Sequence, residues 1–267
     1  MKGKFSGKVV WITGASSGIG EATAYRMARE GATLIVTALE DDLLQQVVNH
    51  CKELGAPDAA ALPFDLSDTG GLADLANKAW ALFGRIDIFY NNAGISQRGT
   101  TVETEMRVIR KVMDIDFYAP VVLTKAILPL MLERGGGQLV VTTSIAGCFG
   151  FPMRCAYSSA KHALYGFFET VQAEYYAQGI RVTIVCPGRV RTNISKYALE
   201  KDGRQHGKMD AGQAGGVTPE QAADKIARAI YRQRREVLVG RKELLMAYIK
   251  RFFPSLCARL ARSIKPM

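Results

Sequence analysis

The sequence predicts an α/β protein with one doubly wound parallel sheet of about seven strands and helices on both faces. Short runs rich in β-branched and apolar residues alternate with longer helical patterns between residues 9 and 239. Most of these runs are apolar throughout, which is typical of strands in a parallel sheet that is covered on both sides. A chain of 267 residues is also long enough to bury one large core as a single domain.

The elements follow one another regularly along the chain. Strands are predicted at residues 9–13, 33–37, 59–64, 86–90, 138–144, 181–186 and 236–239. Helices are predicted near residues 18–30, 40–54, 68–83, 103–133, 155–178 and 218–234. The last helix has a start signal, because Thr218 is a suitable cap and Pro219 suits the first helical position. Residues 193–216 are polar and glycine-rich, and we predict a long substrate loop there.

The composition favours a globular protein with reduced thiols. Hydrophobic residues make up 48% of the chain and charged residues 22%. The cysteines stand at positions 51, 148, 155, 186 and 257; their odd number and the absence of a Cys-x-x-Cys pair favour free thiols in a cytoplasmic protein. No signal peptide is expected before the first strand, and no uninterrupted apolar run reaches the length of about 18–20 residues that a membrane span needs. The sequence predicts no metal site.

The positive charge is concentrated at the C-terminal end. Residues 225–267 carry four Lys and eight Arg against two Glu, and the resulting net charge of +10 equals that of the whole chain. This distribution argues against a nucleic-acid groove on the body of the protein. We therefore divide the chain into a body, residues 1–240, and a basic tail, residues 241–267.

The tail is predicted to be an amphipathic helix in two pieces that are separated at Pro254. Its apolar positions are Leu245, Ile249, Phe252, Phe253, Leu256, Leu260 and Ile264, with Lys242, Lys250, Arg251, Arg259 and Arg262 among them. Three interpretations stay open: the tail lies on an anionic membrane surface, packs on a sister subunit, or caps the substrate cleft. We favour the membrane, which would place the protein in the cytoplasm and peripherally on a membrane.

A glycine loop follows the first strand and leads into a helix. In the run TGASSGIG, Gly14 allows a tight turn, Gly18 lets the backbone approach a pyrophosphate, and Gly20 lets the helix pack close to the sheet. Backbone N–H groups at the start of the helix then face the phosphates. This arrangement predicts a Rossmann-type dinucleotide site. Its predicted contacts also include Ser16, Ser17 and Ile19.

A tyrosine and a lysine four residues apart form the strongest candidate for chemistry. Tyr157 and Lys161 lie on one face of a predicted helix, and Ser144 ends the strand before it. A nearby ammonium group favours phenolate over phenol, which makes a tyrosine a more effective acid or base near neutral pH. The spacing alone is a weak signal, because it occurs by chance in many helices.

These motifs together resemble those of the short-chain dehydrogenase/reductase family. The resemblance rests on the glycine loop, the run NNAG at residues 91–94, Ser144, the Tyr157–Lys161 pair and the run PGRVRT at residues 187–192, and it covers residues 7 to about 240. The chain is most similar to the membrane-associated members that reduce lipophilic carbonyls and are related to hydroxysteroid dehydrogenases. The family also implies a homodimer or homotetramer built on helices 103–133 and 155–178.

The resemblance implies a role for each matching residue. Tyr157 would be the acid/base, Lys161 would support it and hold the nicotinamide ribose, and Ser144 would steady the substrate oxygen. Tyr157 would also contact the cofactor, as would Leu39 at the end of the second strand. Asp65 and Leu66 would bracket the adenine, Asn92, Ala93 and Gly94 would line the adenosine ribose, and Pro187, Gly188, Val190 and Thr192 would hold the nicotinamide. The cofactor is NADP or NAD; Leu39 stands where NADP-dependent members often have arginine, and Glu40 could repel a 2′-phosphate or point into solvent.

One position departs from the family pattern. Asp116 stands where the family has an asparagine that is thought to hold a water next to the lysine. An ionised aspartate accepts hydrogen bonds but cannot donate them. It would also favour the ammonium form of Lys161 and partly offset the effect of that charge on Tyr157. We expect Asp116 to be compatible with catalysis.

The segment between Ser144 and Tyr157 predicts an apolar substrate pocket. Phe149, Phe151 and Met153, together with Ile95, would form a cleft for a lipophilic carbonyl or alcohol. Arg98 and Arg154 could bind an acidic group, although a surface position is the more common one for arginine. The sequence thus predicts an NAD(P)-dependent oxidoreductase acting on CH–OH groups. The alternatives are a catalytically idle dinucleotide sensor or scaffold and, less favoured, a sugar epimerase or dehydratase.

Overall fold

The computed structural model describes residues 3–264 and confirms the predicted α/β fold with seven strands in one parallel sheet. The strands are β1 Val9–Thr13, β2 Thr33–Thr37, β3 Ala59–Ala61, β4 Ile88–Asn91, β5 Gly137–Thr142, β6 Ile180–Pro187 and β7 Glu236–Val239. The α-helices are α1 Gly18–Ala28, α2 Asp41–Glu53, α3 Leu72–Phe83, α4 Met106–Met113, α5 Ala119–Glu133, α6 Cys155–Tyr175, α7 Ala211–Ala214, α8 Pro219–Tyr231, α9 Leu245–Phe252 and α10 Pro254–Arg262.

The strand order creates a switch point at the centre of the sheet. The order is β3-β2-β1-β4-β5-β6-β7, and every neighbouring pair is parallel. The chain therefore builds one half of the sheet outward from β1 and then crosses to β4 to build the other half. Open α/β sheets bind ligands at the carboxyl ends of the strands beside such a switch point.

Alternate side chains of the strands feed two separate core layers. In β1, Val10 and Ile12 pack with α1, α2 and α8 on one face, whereas Val9 and Trp11 pack with α3, α5 and α6 on the other. The two layers follow from the two-residue period of a strand. They hold the sheet rigidly between two sets of helices, so the loops at its carboxyl edge have a fixed base.

Several predicted boundaries differ from those observed. The strand predicted at residues 59–64 ends at Ala61, although the N–H of Leu62 still donates to Val36 in β2 and the N–H of Phe64 donates to Ala38 just after β2. The helix predicted from residue 68 begins only at Leu72. Gly71 caps that helix, and a Cβ there would lie 2.8 Å from the Phe64 ring. Close packing of the preceding turn thus delays the start of the helix.

The helix predicted at residues 103–133 is interrupted by one π-helical turn. It begins at Met106, and Asp114–Tyr118 forms the π segment between α4 and α5. The extra residue per turn rotates Asp116 inward, where it is completely buried. π-turns inside α-helices often occur at functional sites. By length and composition, Met106–Glu133 is also the one segment of residues 3–264 that could cross a membrane. Core helices pass the same test, and α5 packs on the sheet.

The predicted loop and the tail are partly helical. The loop contains a 3-10 turn at Asn193–Ser195 and the short helix α7, and α8 then begins with the predicted Thr218 cap, whose side chain accepts a hydrogen bond from Gln221. The tail forms α9 and α10, which meet at Pro254 as predicted. One face of the tail packs on the body, where Cys257 is buried against Ile145 and Phe149.

Candidate active site

The glycine loop lies at the carboxyl end of β1 and is held tightly against the loop that follows β4. Gly14 and Gly18 both have positive φ angles, 64° and 63°. A Cβ at Gly14 would lie 2.6 Å from Ala93 Cα, and one at Gly20 would lie 2.2 Å from the Gly14 carbonyl oxygen. A side chain is disfavoured at Gly14 by both the backbone angle and the space, at Gly18 by the backbone angle, and at Gly20 by the space.

Asn92 ties the two loops together. Its side-chain nitrogen donates to the carbonyl oxygens of Thr13 and Gly14, at 3.1 Å each, and the Thr13 hydroxyl accepts from the backbone N–H groups of Asn92 and Ala93. Ser17 caps α1 without a hydrogen bond from its side chain. The first N–H groups of α1 are therefore not capped by the Ser17 side chain, and the glycines carry no side chain that would keep a pyrophosphate away from them. The residues fit a dinucleotide.

Three of the predicted catalytic residues come together at the ends of β5 and α6. Ser144 starts a 3-10 turn, and its Oγ accepts from Ala146 N at 3.2 Å. Tyr157 lies on the first turns of α6, and Lys161 follows one turn later, with its Nζ 5.7 Å from the centre of the Tyr157 ring. Lys161 is buried and donates to the Thr142 carbonyl oxygen at 3.0 Å. Both hydroxyl groups open into the same cavity.

Asp116 forms a buried ion pair with Lys161. Its Oδ2 lies 3.2 Å from Lys161 Nζ, and its Oδ1 accepts from the backbone N–H of Ile95 at 2.7 Å. Burial raises the pKa of Asp116, although Lys161 and the Ile95 N–H oppose that effect. Gly94 packs directly on the pair, since a Cβ there would lie 3.0 Å from Asp116 Oδ2. The π-turn thus brings Asp116, which stands where the family has asparagine, into contact with Lys161.

A cavity of about 550 Å³ opens beside Tyr157 and Ser144. Of the predicted residues, it is lined by Ile19, Ser144, Phe149, Phe151, Tyr157, Pro187, Gly188, Val190 and Thr192. Residues that the sequence analysis had not assigned to the site also line it: Ile145, Ala146, Asp210, Gln213, Glu243, Met246, Leu260 and Ile264 among others. The last four come from the tail, and the amphipathic pattern of the tail was the signal that could have located its apolar members.

The tail is fastened to the loop that follows β6. Glu243 accepts hydrogen bonds from the backbone N–H groups of Arg189, at 2.8 Å, and Arg241, at 3.1 Å. Burial works to raise the pKa of Glu243, but these N–H groups outweigh it and lower the pKa. A Cβ at Gly188 would lie 2.5 Å from the Glu243 carboxylate. Nearby, Thr192 covers the glycine loop, with its methyl group 3.0 Å from the position of a Gly18 Cβ.

The residues expected near the adenosine lie on the other side of the switch point. Leu39 is 63% exposed just after β2. Two roles are predicted for Glu40, repelling a 2′-phosphate or pointing into solvent. In the structure Glu40 turns toward the glycine loop and accepts a hydrogen bond from the Ser16 hydroxyl at 3.2 Å. Asp65 is exposed and accepts from the backbone N–H and the hydroxyl of Ser67, which closes a local turn beside the buried Leu66. None of these residues lines the cavity beside Tyr157.

Two residues expected in the substrate pocket lie elsewhere. Ile95 packs with Val108 and Ala160 in a separate apolar cluster beneath the site. Met153 has a positive φ of 59°. Its carbonyl oxygen accepts a hydrogen bond from the backbone N–H of Gly99, which ties the segment around Met153 to the loop after β4. The rest of the apolar wall comes from the tail because the tail folds back over the cleft, an arrangement that sequence spacing does not specify.

The expectation that Arg98 is a surface residue is wrong. Arg98 is 1% exposed and donates to Asp210 at 2.6 Å, to the Ser96 hydroxyl at 2.7 Å and to the Gln97 carbonyl oxygen at 2.9 Å. Arg154 also donates to Asp210, at 3.0 Å. Burial works to raise the pKa of Asp210, but the two guanidinium groups outweigh it and lower the pKa. This cluster anchors the loop of residues 193–216 to the cavity wall.

Comparisons with known proteins agree with this geometry. A family model described as short chain dehydrogenase matches residues 8–203. Dehydrogenase/reductase SDR family member 7B of Xenopus tropicalis is 39% identical over 254 residues, which cover 93% of this chain and 82% of the relative. A short-chain dehydrogenase/reductase from Burkholderia phymatum in complex with NAD has a TM-score of 0.82 at 24% identity, covering 95% of this chain and 96% of that one.

An alcohol dehydrogenase from Thermococcus sibiricus complexed with 5-hydroxy-NADP has a TM-score of 0.75 at 26% identity, covering 88% of this chain and 97% of that one. The two solved structures thus carry the two forms of the cofactor that the sequence analysis left open.

Proposed function

The chain belongs to the short-chain dehydrogenase family and is an NAD(P)-dependent oxidoreductase, and from this premise we propose that it interconverts an alcohol and a carbonyl group on a lipophilic substrate. One observation carries the proposal. Tyr157 and Ser144 reach the same largely apolar cavity, while the buried Lys161 stands one helical turn behind the phenol. An acid/base group beside an apolar cleft suits a carbonyl group that is carried on an apolar molecule.

In the proposed proton transfer, Tyr157 donates to the carbonyl oxygen during reduction and accepts the hydroxyl proton during oxidation. Ser144 steadies the same oxygen. Because Ser144 Oγ already accepts from Ala146 N, its own hydrogen remains available to donate. Lys161 donates to the Thr142 carbonyl oxygen and is ion-paired with Asp116, and its remaining N–H groups are proposed to hold the ribose of the cofactor. We include Asp116 because its charge adjusts the balance between phenol and phenolate on Tyr157.

The dinucleotide supplies or accepts the hydride when it is bound. The residues proposed to hold its phosphates are Gly14, Ser16, Ser17, Gly18, Ile19 and Gly20. Those proposed for the adenosine are Leu39, Asp65, Leu66, Asn92, Ala93 and Gly94, and those for the nicotinamide are Pro187, Gly188, Val190 and Thr192. The absence of a side-chain cap at Ser17 and the tight glycine turn support this assignment.

A carbonyl panel tests the activity. The protein is mixed with NADPH or NADH and with straight-chain aldehydes and ketones of increasing length, and loss of reduced nicotinamide absorbance is followed. We expect turnover whose kcat/KM rises with chain length and is lost in Tyr157→Phe. Binding of the reduced cofactor, seen by fluorescence, without oxidation across the panel would instead favour the sensor. A sugar epimerase would need a second substrate domain, whereas residues 3–264 form one sheet with its helices.

We further propose that the tail, residues 241–267, lies on an anionic membrane as it closes one side of the cleft. Met246 and Leu260 line the cavity, whereas Phe252 and Phe253 are 66% and 63% exposed beside exposed basic side chains. Exposed aromatic groups enter the lipid interface, and each nearby Lys or Arg adds about 1 kcal/mol on an anionic surface. This arrangement would place the opening of an apolar cleft next to the lipid phase.

Flotation with liposomes tests the membrane proposal. The full chain, a chain that ends at Gly240 and the variant Phe252→Ser/Phe253→Ser are compared on phosphatidylserine and phosphatidylcholine vesicles. We expect the parent chain and the control variant Val102→Ser to bind the anionic vesicles, and the truncated chain and the double variant not to bind. Val102→Ser is a matched control, because Val102 is 97% exposed but lies outside the tail. Equal flotation of the double variant would refute the proposal.

We also expect a homodimer or homotetramer that uses the long helices. Tyr118, in the π-turn before α5, and Tyr176, just after α6, are both 49% exposed, and the π-turn and α4 both contact α6. Exposed aromatic side chains on adjacent helices suit a helical interface. Light scattering coupled to size-exclusion chromatography measures the mass directly, and a monomer at micromolar concentration would contradict this expectation.

A further inference from the structure

Two cysteines lie in contact at the edge of the site. Cys148 Sγ is 3.8 Å from Cys186 Sγ and 3.6 Å from the Tyr165 hydroxyl. Cys148 follows the 3-10 turn that starts at Ser144, and Cys186 lies in β6 one residue before Pro187. The pair therefore joins the two segments that flank the cleft, although 38 residues separate the cysteines in the chain.

The two thiols differ in reactivity. A hydrogen bond from Cys186 lowers the pKa of Cys148 to about 7, although burial and the nearby Glu236 charge oppose it. The hydrogen bond to Cys148 and burial raise the pKa of Cys186. Cys148 is half-buried and Cys186 is fully buried. Cys148 is therefore the thiolate that a small oxidant reaches, with a neutral thiol behind it.

We propose that Cys148 and Cys186 are a modification site, at which a peroxide converts the pair into a reversible disulfide. The Cys148 thiolate attacks one oxygen of hydrogen peroxide, an S–O bond forms, the O–O bond breaks, and the departing hydroxide takes up a proton to leave as water. Cys186 sulfur then attacks the Cys148 sulfenic acid, an S–S bond forms, the S–O bond breaks, and a second water leaves with the Cys186 proton. One peroxide is reduced to two waters while two thiols lose two electrons.

Oxidation would disturb the 3-10 turn that starts at Ser144. Because a disulfide bond is about 2.05 Å long, the two sulfur atoms must approach by about 1.8 Å. The turn has little freedom to follow, since a Cβ at Gly147 would lie only 2.8 Å from the Lys161 carbonyl oxygen. The displacement therefore passes to Ser144 or to the Pro187–Gly188 segment. We expect at least a tenfold fall in kcat that dithiothreitol reverses.

Tryptic mapping can identify the bond without ambiguity. Residues 135–154 form a tryptic peptide whose sole cysteine is Cys148, and residues 182–189 form one whose sole cysteine is Cys186. The folded protein is treated with hydrogen peroxide at low protein concentration, its remaining thiols are alkylated, and it is digested without reductant. We expect one linked species with the summed mass of the two peptides less two hydrogen atoms. Reduction should separate it.

Variants connect the bond to the activity. Cys148→Ser and Cys186→Ser should each retain kcat after the same peroxide treatment. Cys155→Ser is the matched control, since this half-buried cysteine lies seven residues from Cys148, and it should lose activity as the parent protein does. The mapping of the parent protein tests the bond even if a serine variant folds poorly. Unlinked peptides after oxidation, or a link that leaves turnover unchanged, would overturn the proposal.

Discussion

Replacing Asp116 by asparagine would remove the carboxylate that is paired with Lys161 while keeping the size of the side chain. The Asp116 Oδ2 atom lies 3.2 Å from Lys161 Nζ, and both side chains are buried. An ionised Asp116 repels negative charge on Tyr157 and also keeps Lys161 in its ammonium form. Its removal favours the phenolate. We therefore expect the pH profile of alcohol oxidation to move toward acid.

The distances set the size of this shift. Lys161 Nζ is 5.7 Å from the centre of the Tyr157 ring, so the Asp116 carboxylate is at most about 9 Å from that ring. At an effective dielectric constant of about 20, two unit charges at that distance interact by about 2 kcal/mol. One pH unit corresponds to about 1.4 kcal/mol. We therefore expect a shift of slightly more than one pH unit.

The assay is the initial rate of alcohol oxidation at saturating cofactor between about pH 5 and pH 10, for the parent protein and Asp116→Asn. Asp114→Asn is the matched control, because it makes the same change of charge two residues earlier in the same π-turn. A profile that stays in place would show that Asp116 is uncharged in the working enzyme, a state that burial favours by raising its pKa. A gain above a hundredfold at every pH would refute our view that Asp116 is compatible with catalysis.

Three further predictions concern the acid/base, the buried cluster and the cofactor. Tyr157→Phe should lower kcat by about 10²–10⁴-fold in a stopped-flow assay, and a large change in the Kd for reduced cofactor would contradict a purely catalytic role. Asp210→Asn should destabilise the protein by about 3 kcal/mol in urea at pH 7, because it leaves the buried Arg98 without its carboxylate. Because the pKa of Asp210 is lowered in the folded protein, the difference in unfolding free energy between the parent protein and Asp210→Asn should shrink as the pH falls below about 4. A difference that stays constant with pH would exclude the Asp210 charge as its cause. Glu40→Gln should tighten NADPH relative to NADH by about threefold, measured by fluorescence titration; an unchanged ratio would place Glu40 away from the 2′ position.

The tail contributes both to the proposed substrate cavity and to the outer surface of the protein. Its inner face supplies Met246, Leu260 and Ile264 to the cavity, and its outer face exposes aromatic and basic side chains. Glu243 fastens the start of the tail to the segment proposed to hold the nicotinamide. A change at the outer face therefore has a short structural route to the cleft. Comparing the kcat/KM of Phe252→Ser/Phe253→Ser with that of the parent protein, with and without anionic vesicles, would measure that coupling.

The parts of the site that could be predicted depend on local chemistry. Strand and helix periods identified the sheet, and the spacing of Gly14, Gly18 and Gly20 identified a turn at which side chains are disfavoured. Tyr157 and Lys161 were recognisable because four residues correspond to about one helical turn. Asp116 was recognisable as a departure, but its ion pair depends on a π-turn that no residue pattern announced.

The sequence by itself therefore determined the layers, the glycine turn and the placement of Tyr157 and Lys161 on one helix face, because each follows from interactions between residues close together in the chain. The tertiary structure alone decided that Arg98 is buried against Asp210, 112 residues away, that the tail covers the cleft, and that Cys148 touches Cys186. Such contacts depend on how distant segments pack around the common core. Their geometry is set by the shape of the whole fold, which short-range periodicity does not encode.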